Sequence, residues 1–245
     1  MCRMLAIMSK NLILPSSFLR DFRALAEKGK VLSGAEPGHK DGWGIVGYQK
    51  GAPIYLGREP KNAMDRDSRY DEALKYLDQL CIKGPLLAHF RKASLEYRRV
   101  TLQNTAPFVQ GKWSFAHNGT IRRFNEEVSG MKGTTDSERF FVKLLTERER
   151  SGGSMEKAIE RTVRRVRDSY DYSSITFLLS DGANIYAYRE YSNPEQSDYY
   201  NLIYASDKDR VIISQQAIWP KEWVTVPNRT LVTVMSDLKV CSKGI

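Results

Sequence analysis

Residues 3 to 8 (Arg3, Met4, Leu5, Ala6, Ile7 and Met8) form a short, nearly continuous apolar run directly behind Cys2. Such a run reads as a strand buried on both faces, so the chain must supply layers on either side of it, and Cys2 is anchored to a rigid element. The rest of the chain has the matching texture: strand signals, then two adjacent helices, then strands again. That order argues for a layered α+β domain with a largely antiparallel sheet core.

Taken in order, Ser16 and Ser17 offer N-caps to a helix running through about Lys28, and Gly29 supplies a stop. A Gly/Pro-rich loop leads to Asp41-Gly42-Trp43-Gly44 and a hairpin, with strands at 45–49 and 54–58 around a turn at Gly51-Ala52-Pro53. The spacing of Ala73, Leu74, Leu77 and Leu80 predicts a helix over 70–80, and 86–91 is a second buried strand. Residues 92–107 have no period and read as a long loop, a length that is often functional. A strand at 113–116 runs into His117-Asn118-Gly119. Thr135 with Glu138 fits a capping box ahead of a helix carrying Phe140, Phe141, Leu144 and Leu145, and a basic helix follows over 155–168. Strands are expected at 175–179, 184–189, 201–205, 210–214 and 230–235. No repeat or linker divides the chain, so residues 1–245 read as a single domain.

Composition removes several classes of function. An apolar fraction of 41% with 11% aromatics is that of a folded chain. No apolar run approaches the roughly 20 residues that cross a bilayer. The N-terminal stretch breaks at Ser9-Lys10-Asn11 with no small-residue cleavage site behind it, so a cytoplasmic location is the expectation. Three scattered cysteines and three histidines suit neither a disulfide framework nor a metal centre. The net charge of +9 raises nucleic acid as a partner. However, Arg161, Arg164, Arg165 and Arg167 share their helix with Glu156, Glu160 and Asp168 and read as a solvated face, so nucleic acid is disfavoured.

If Met1 is removed, Cys2 carries a thiol and a free α-amine on one residue, and an amine titrating near pH ~8 can take the thiol proton without a histidine. By itself a cysteine at position 2 is also a chance occurrence. Downstream, Asp41-Gly42-Trp43-Gly44, His89-Phe90-Arg91-Lys92-Ala93-Ser94, Phe115-Ala116-His117-Asn118-Gly119 and Thr135-Asp136-Ser137-Glu138 follow in one order. Individually these have bland readings: Asn118-Gly119 as a turn, Arg91 as a surface ion-pair partner, Asp136 as a helix-cap residue. Behind Cys2 they resemble together the class-II (N-terminal-nucleophile) glutamine amidotransferases, most of all the small members that carry the glutaminase domain alone.

The resemblance implies a four-layer αββα sandwich of the N-terminal-nucleophile hydrolase type, and a reaction that needs no metal or organic cofactor. It implies that Cys2 attacks the side-chain amide of glutamine, or of a γ-glutamyl amide, with Asn118 and Gly119 as the oxyanion hole. Arg91 and Ser94 would grip the substrate carboxylate and Asp136 its ammonium group. Asp41 is expected to be structural support, His117 a structural histidine, and His89 and His39 core or loop residues. The ammonia would pass to a separate synthase subunit, or be released by a plain glutaminase, or an amine would leave a γ-glutamyl amide. The rival expectation is a catalytically silent member that regulates or binds nucleic acid, using Arg98, Arg99 and the basic helix. Two positions depart from the family pattern: Ala106 stands where Asn104-Thr105-Ala106-Pro107 usually has histidine, and Lys92 stands where an apolar or aromatic residue is frequent.

Overall fold

The computed structural model describes residues 2–10 and 13–245; Met1, whose removal the mechanism above requires, and Asn11 lie outside the described residues. The chain runs β1 (Arg3–Ser9), α1 (Ser17–Arg23), α2 (Leu25–Lys28), β2 (Trp43–Gln49), β3 (Ala52–Glu59), α3 (Tyr70–Leu80), β4 (Leu86–Phe90), β5 (Phe108–Gln110) and β6 (Trp113–Asn118). It continues through α4 (Asp136–Arg150), α5 (Met155–Ser169), β7 (Thr176–Ser180), β8 (Ile185–Arg189), β9 (Ile203–Ser206), β10 (Arg210–Ser214), β11 (Val224–Thr225), β12 (Thr230–Val234) and β13 (Val240–Gly244). One sheet has the order β11-β9-β10-β1-β4-β2-β3 and the other β13-β12-β8-β7-β6-β5, with antiparallel pairing throughout.

All seven residues of β1 are buried, and the period-two alternation of a strand sends them to different layers. Leu5 and Ile7 join Phe18, Leu19, Phe22, Leu74 and Leu77 of the α1–α3 layer, while Met4, Ala6 and Met8 join the cluster of the second sheet. The outer face of that second sheet packs on α4. There the Phe115 ring lies 5.1 Å from Phe141 and 5.8 Å from Phe140, and Phe177 lies 5.6 Å from Phe140. Helices, sheet, sheet and helices therefore form the four-layer αββα sandwich, with β1 central in the first sheet.

The differences from the sequence reading have local causes. The helix expected through 16–28 divides at Ala24 into α1 and α2. Ser16 sits at the N-cap but does not cap with its side chain, because its Oγ donates to Asp78 Oδ2 at 2.8 Å. Half of the capping box forms: Thr135 Oγ1 accepts the Glu138 N–H at 3.2 Å, while the Glu138 carboxylate takes the N–H groups of Lys132 and Gly133 at 2.8 and 2.7 Å. The short strands β5, β11 and β13 had no period to announce them, being held by their neighbours' ladders.

On α5, Arg161, Arg164, Arg165 and Arg167 pair with Glu147, Glu160, Glu126 and Glu190. The basic face is a set of ion pairs, but of the acids interleaved on the helix only Glu160 takes part here; Glu147, Glu126 and Glu190 come from elsewhere in the chain. No helix among the described residues is long and apolar enough to cross a membrane.

Truncating Phe115 to alanine removes the ring at the centre of the aromatic stack and is expected to cost about 3–5 kcal/mol in denaturant unfolding. Arg164→Ala breaks an exposed i,i+4 pair and is expected to cost about 0.5 kcal/mol or less.

Candidate active site

The ends of β1, β4 and β6 converge on a cleft lined by Cys2, Arg91, Ser94, Gly119 and Asp136, with about 410 Å³ of space partly open to solvent. Antiparallel register explains the meeting. Arg3 lies opposite Phe90, so Cys2 and Arg91 fall next to each other at the adjoining strand ends. From the other sheet, Asn118 at the end of β6 accepts the Cys2 N–H on Oδ1 at 2.8 Å. Asn118 is fully buried, and its Nδ2 has no hydrogen-bond partner among the described residues. The side chain acts weakly on the titration of Tyr199, yet the two do not reach hydrogen-bond geometry at Nδ2. The Cys2 thiol is half-buried and unoxidised, and its nearest acceptor is the Lys92 carbonyl at 4.0 Å.

Gly119 follows Asn118 for a packing reason. A Cβ there would stand 1.9 Å from the Ser174 carbonyl oxygen and 2.9 Å from His117 Nε2, so only glycine fits between them. His117 holds this arrangement from behind. Burial pushes its pKa down to about 4, so the ring is neutral; Ser137 Oγ is 2.9 Å from Nδ1 and the Ser174 carbonyl is 3.2 Å from Nε2. The tautomer that satisfies both has Nε2–H donating to Ser174 and Nδ1 accepting from Ser137. Both nitrogens are thereby engaged, which fits a structural histidine better than a proton acceptor for Cys2.

Arg91 is 5% exposed. Its Nη2 donates to the Tyr97 carbonyl at 2.8 Å, while Nη1 is buried with no partner among the described residues. Desolvation lowers its pKa, and the charges of Cys2, Asp41 and Asp136 partly offset that. Asp41 braces the segment around it: its N–H donates to the Arg91 carbonyl at 2.9 Å and its Oδ2 accepts the Ala93 N–H at 2.7 Å. Ser94 lines the cleft beyond, in a turn whose carbonyl accepts the Tyr97 N–H at 3.2 Å. Asp136, at the first turn of α4, is 3% exposed and accepts the Ile121 N–H on Oδ2 at 2.7 Å. Burial raises its pKa to about 7, with the Cys2 and Glu96 charges adding, despite the backbone donors of Ile121 and Ser137.

Several residues at the site went unassigned in the sequence. Asn104 ties the long loop to the start of α4: its Oδ1 accepts the Thr134 N–H at 2.8 Å and its Nδ2 donates to Thr134 Oγ1 at 3.2 Å. Arg3 is fully buried, donates from Nη1 to the carbonyls of Cys2 and Tyr199 at 3.1 and 3.2 Å and from Nη2 to that of Lys30, and stacks 4.5 Å from the Tyr199 ring. A single charge inside an otherwise apolar run was the signal, since a buried guanidinium must find acceptors. His89, expected as a core or loop residue, also lines the cleft. As for the two departures, Lys92 donates its ammonium to the carbonyls of Glu36 and Gly38, and Ala106 presents a methyl group to the cleft. Among the described residues no group of three or more His, Cys, Asp or Glu side chains could hold a metal ion.

Comparison with known proteins adds an independent line. The family model for class-II glutamine amidotransferases matches residues 1–232. YafJ of Escherichia coli (strain K12), which carries a glutamine amidotransferase name, is 32% identical over 202 residues, spanning 77% of this chain and 72% of YafJ. A glutamine aminotransferase class-II domain protein from Silicibacter pomeroyi superposes with a TM-score of 0.59 at 19% identity over 100% of this chain and 99% of its own. The glutamine phosphoribosylpyrophosphate amidotransferase of B. subtilis gives 0.65 at 12% identity, over 99% of this chain but 49% of that one. At such low identities the two structures establish a shared fold. The match along nearly the whole sequence, together with the likeness to YafJ, establishes the rest: the chain belongs to the class-II glutamine amidotransferase family.

Proposed function

We propose that the protein hydrolyses the side-chain amide of glutamine, or of a γ-glutamyl amide, through a thioester on Cys2. The observation that carries this reading is Asn118: one end of its amide holds the Cys2 N–H, and the other end is a buried donor with no hydrogen-bond partner among the described residues. A buried amide N–H without an acceptor costs about 1–3 kcal/mol. It recovers that cost when an oxyanion forms beside the nucleophile.

Once Met1 is removed, the Cys2 amine takes the thiol proton and sulfur attacks the amide carbon. Asn118 Nδ2 and the Gly119 backbone N–H stabilise the oxyanion. The amine returns the proton to the leaving nitrogen, ammonia or an amine departs, and water then cleaves the γ-glutamyl thioester. The free Nη1 of Arg91 takes the substrate carboxylate, with Ser94 at its side. Asp136 takes the ammonium group. The ion-paired α5 leaves the nucleic-acid reading without its main support. Ammonia goes either to solvent or to a separate synthase subunit; a co-purifying protein that raises glutamine turnover identifies the second route.

Cys2→Ala is expected to abolish turnover and labelling by a glutamine-mimicking electrophile, read by intact mass. Protein that retains Met1 is expected to be inactive. Asn118→Ala is expected to lower kcat by about 10²–10³ with little change in KM. An Asn118 variant with wild-type kcat would overturn the oxyanion assignment.

Asp136 sets a pH dependence. Its carboxyl must be ionised to hold an ammonium group, and in the free protein it titrates at about 7. KM for glutamine is therefore expected to rise as pH falls through about 7, and Asp136→Asn to raise KM and flatten the profile. The same shift acts on stability with the opposite sign. The folded state holds this proton more tightly than the unfolded chain, so its contribution is fully present below the ordinary carboxylate range near ~4 and is lost as pH rises to about 7. Denaturant midpoints of wild type and Asp136→Asn across that range check it.

A further inference from the structure

Seven buried polar atoms with no hydrogen-bond partner among the described residues belong to five residues around the start of β1: Nε of Arg3, whose other two nitrogens are bonded, Asn118 Nδ2, Arg91 Nη1, both ring nitrogens of His89, and Nε2 and Oε1 of Gln215. The reading above uses Asn118 and Arg91. It leaves His89 and Gln215 without a task.

These two residues flank Met4. His89 is opposite Met4 in β4, with Gly44 on its far side. Gln215 continues the register that sets Leu5 opposite Ser214, and its N–H donates to the Met4 carbonyl at 3.3 Å. Directly opposed residues share a face, and the alternation confirms which one. Met4 and Ala6, with the cross-strand residues Leu87 and Ile213, belong to the cluster between the sheets, whereas Leu5, Ala88 and Ile212 face the helices. His89, Met4 and Gln215 thus form a row on the inner face, with Met4 two residues along the chain from Cys2, and His89 and Gln215 are each 2% exposed. The His117 carbonyl acts on the titration of the His89 ring without reaching hydrogen-bond geometry, which places the ring against the last residues of β6, next to Asn118.

A buried imidazole and a buried carboxamide at positions where leucine or methionine would fit need a bound partner in the working protein. Desolvation, with the Arg91 charge adding, holds the His89 pKa down to about 3, so the ring is neutral and offers one donor and one acceptor. Gln215 offers the same pair. His89 lines the cleft beside the thiol, and a neutral donor–acceptor there suits a small neutral molecule that both gives and takes hydrogen bonds; Gln215 lies beyond Met4 on the same face. An anion would instead be drawn to Arg91.

We propose that His89, backed by Gln215, holds the water that resolves the γ-glutamyl thioester on Cys2, an assignment that rests on the thioester reading above. The water donates one hydrogen to the acceptor nitrogen of His89, which turns an oxygen lone pair toward the acyl carbon. Its oxygen bonds to that carbon and the carbon–sulfur bond breaks. The other proton reaches sulfur through the Cys2 amine, leaving a γ-carboxylic acid and the free thiol.

The test is rapid-quench glutaminase kinetics with intact-mass detection on processed wild type, His89→Phe and Gln215→Met. In His89→Phe the expected result is a burst of ammonia at the wild-type rate, followed by a steady state slower by about tenfold or more. A γ-glutamyl adduct should accumulate on Cys2, and hydroxylamine, a stronger small nucleophile, should restore turnover. Gln215→Met should show the same pattern more weakly. Both variants should melt no lower than wild type, since each loses an unpartnered buried polar group. Wild-type steady state without adduct in both variants overturns the proposal, as does an equal loss of burst and steady state in Gln215→Met if His89→Phe does not fold. A wild-type protein that forms no adduct on Cys2 with glutamine or a γ-glutamyl amide overturns the thioester reading as well, which separates the two failures.

Discussion

The hydrogen bond from the Cys2 N–H to Asn118 Oδ1 joins the first strand of one sheet to the last residue of a strand in the other, 116 positions away. The site depends on it for orientation. With its carbonyl engaged, the Asn118 amide leaves only its NH₂ group available beside Cys2. That bond is possible only because the sheets are stacked with β1 over β6, so the stacking of two hydrophobic faces sets the geometry of a polar contact.

Around this bond the structure accumulates buried polar groups, an arrangement that opposes stability unless each is satisfied. Some are satisfied internally. Arg3 uses Nη1 and Nη2 on main-chain carbonyls and its face on Tyr199, with Nε left unpartnered among the described residues, and so fixes the backbone on either side of Cys2. His117 is engaged at both nitrogens and couples the Gly119 turn to the α4 start that carries Asp136. Others are left open: Asn118 Nδ2, Arg91 Nη1 and the His89 ring lie at the cleft, while Trp43 Nε1, Arg148 Nε, Thr162 Oγ1 and Arg210 Nε lie open away from it. The aromatic stack of Phe115, Phe140, Phe141 and Phe177 and the apolar α1–α3 layer supply the burial that lets the site remain partly unsatisfied.

Much of this was legible in the residues. The run behind Cys2 is a strand because it is apolar at every position but one, and the helix at 70–80 was readable because its apolar spacing carries through to Leu80. The grouping of Cys2, Arg91, Asn118 and Asp136 was legible by resemblance, through ordered motifs. The break at Ala24 and the strands β5, β11 and β13 were not, since they depend on what a distant strand or helix offers them. His89 illustrates the limit most clearly. In sequence it was a core histidine, and it is indeed buried. Only the register opposite Met4, and the absence of any acceptor for its ring among the described residues, sets it apart from an inert one.

The sequence by itself determined the layer pattern and the chemical inventory: a thiol that can carry its own base, an amide followed by glycine, an arginine at a strand end and an acid at a helix start. These are local properties, fixed by periodicity and residue type. The tertiary structure alone decided which polar atoms are used up and which remain available, because that depends on the facing strand. Gly119 is required by the Ser174 carbonyl, Arg91 keeps one nitrogen free because Tyr97 takes only the other, and Asp136 titrates near neutrality because packing removes it from water. Residue identity sets what a group can do, and the geometry of its burial sets whether it is left free to do it.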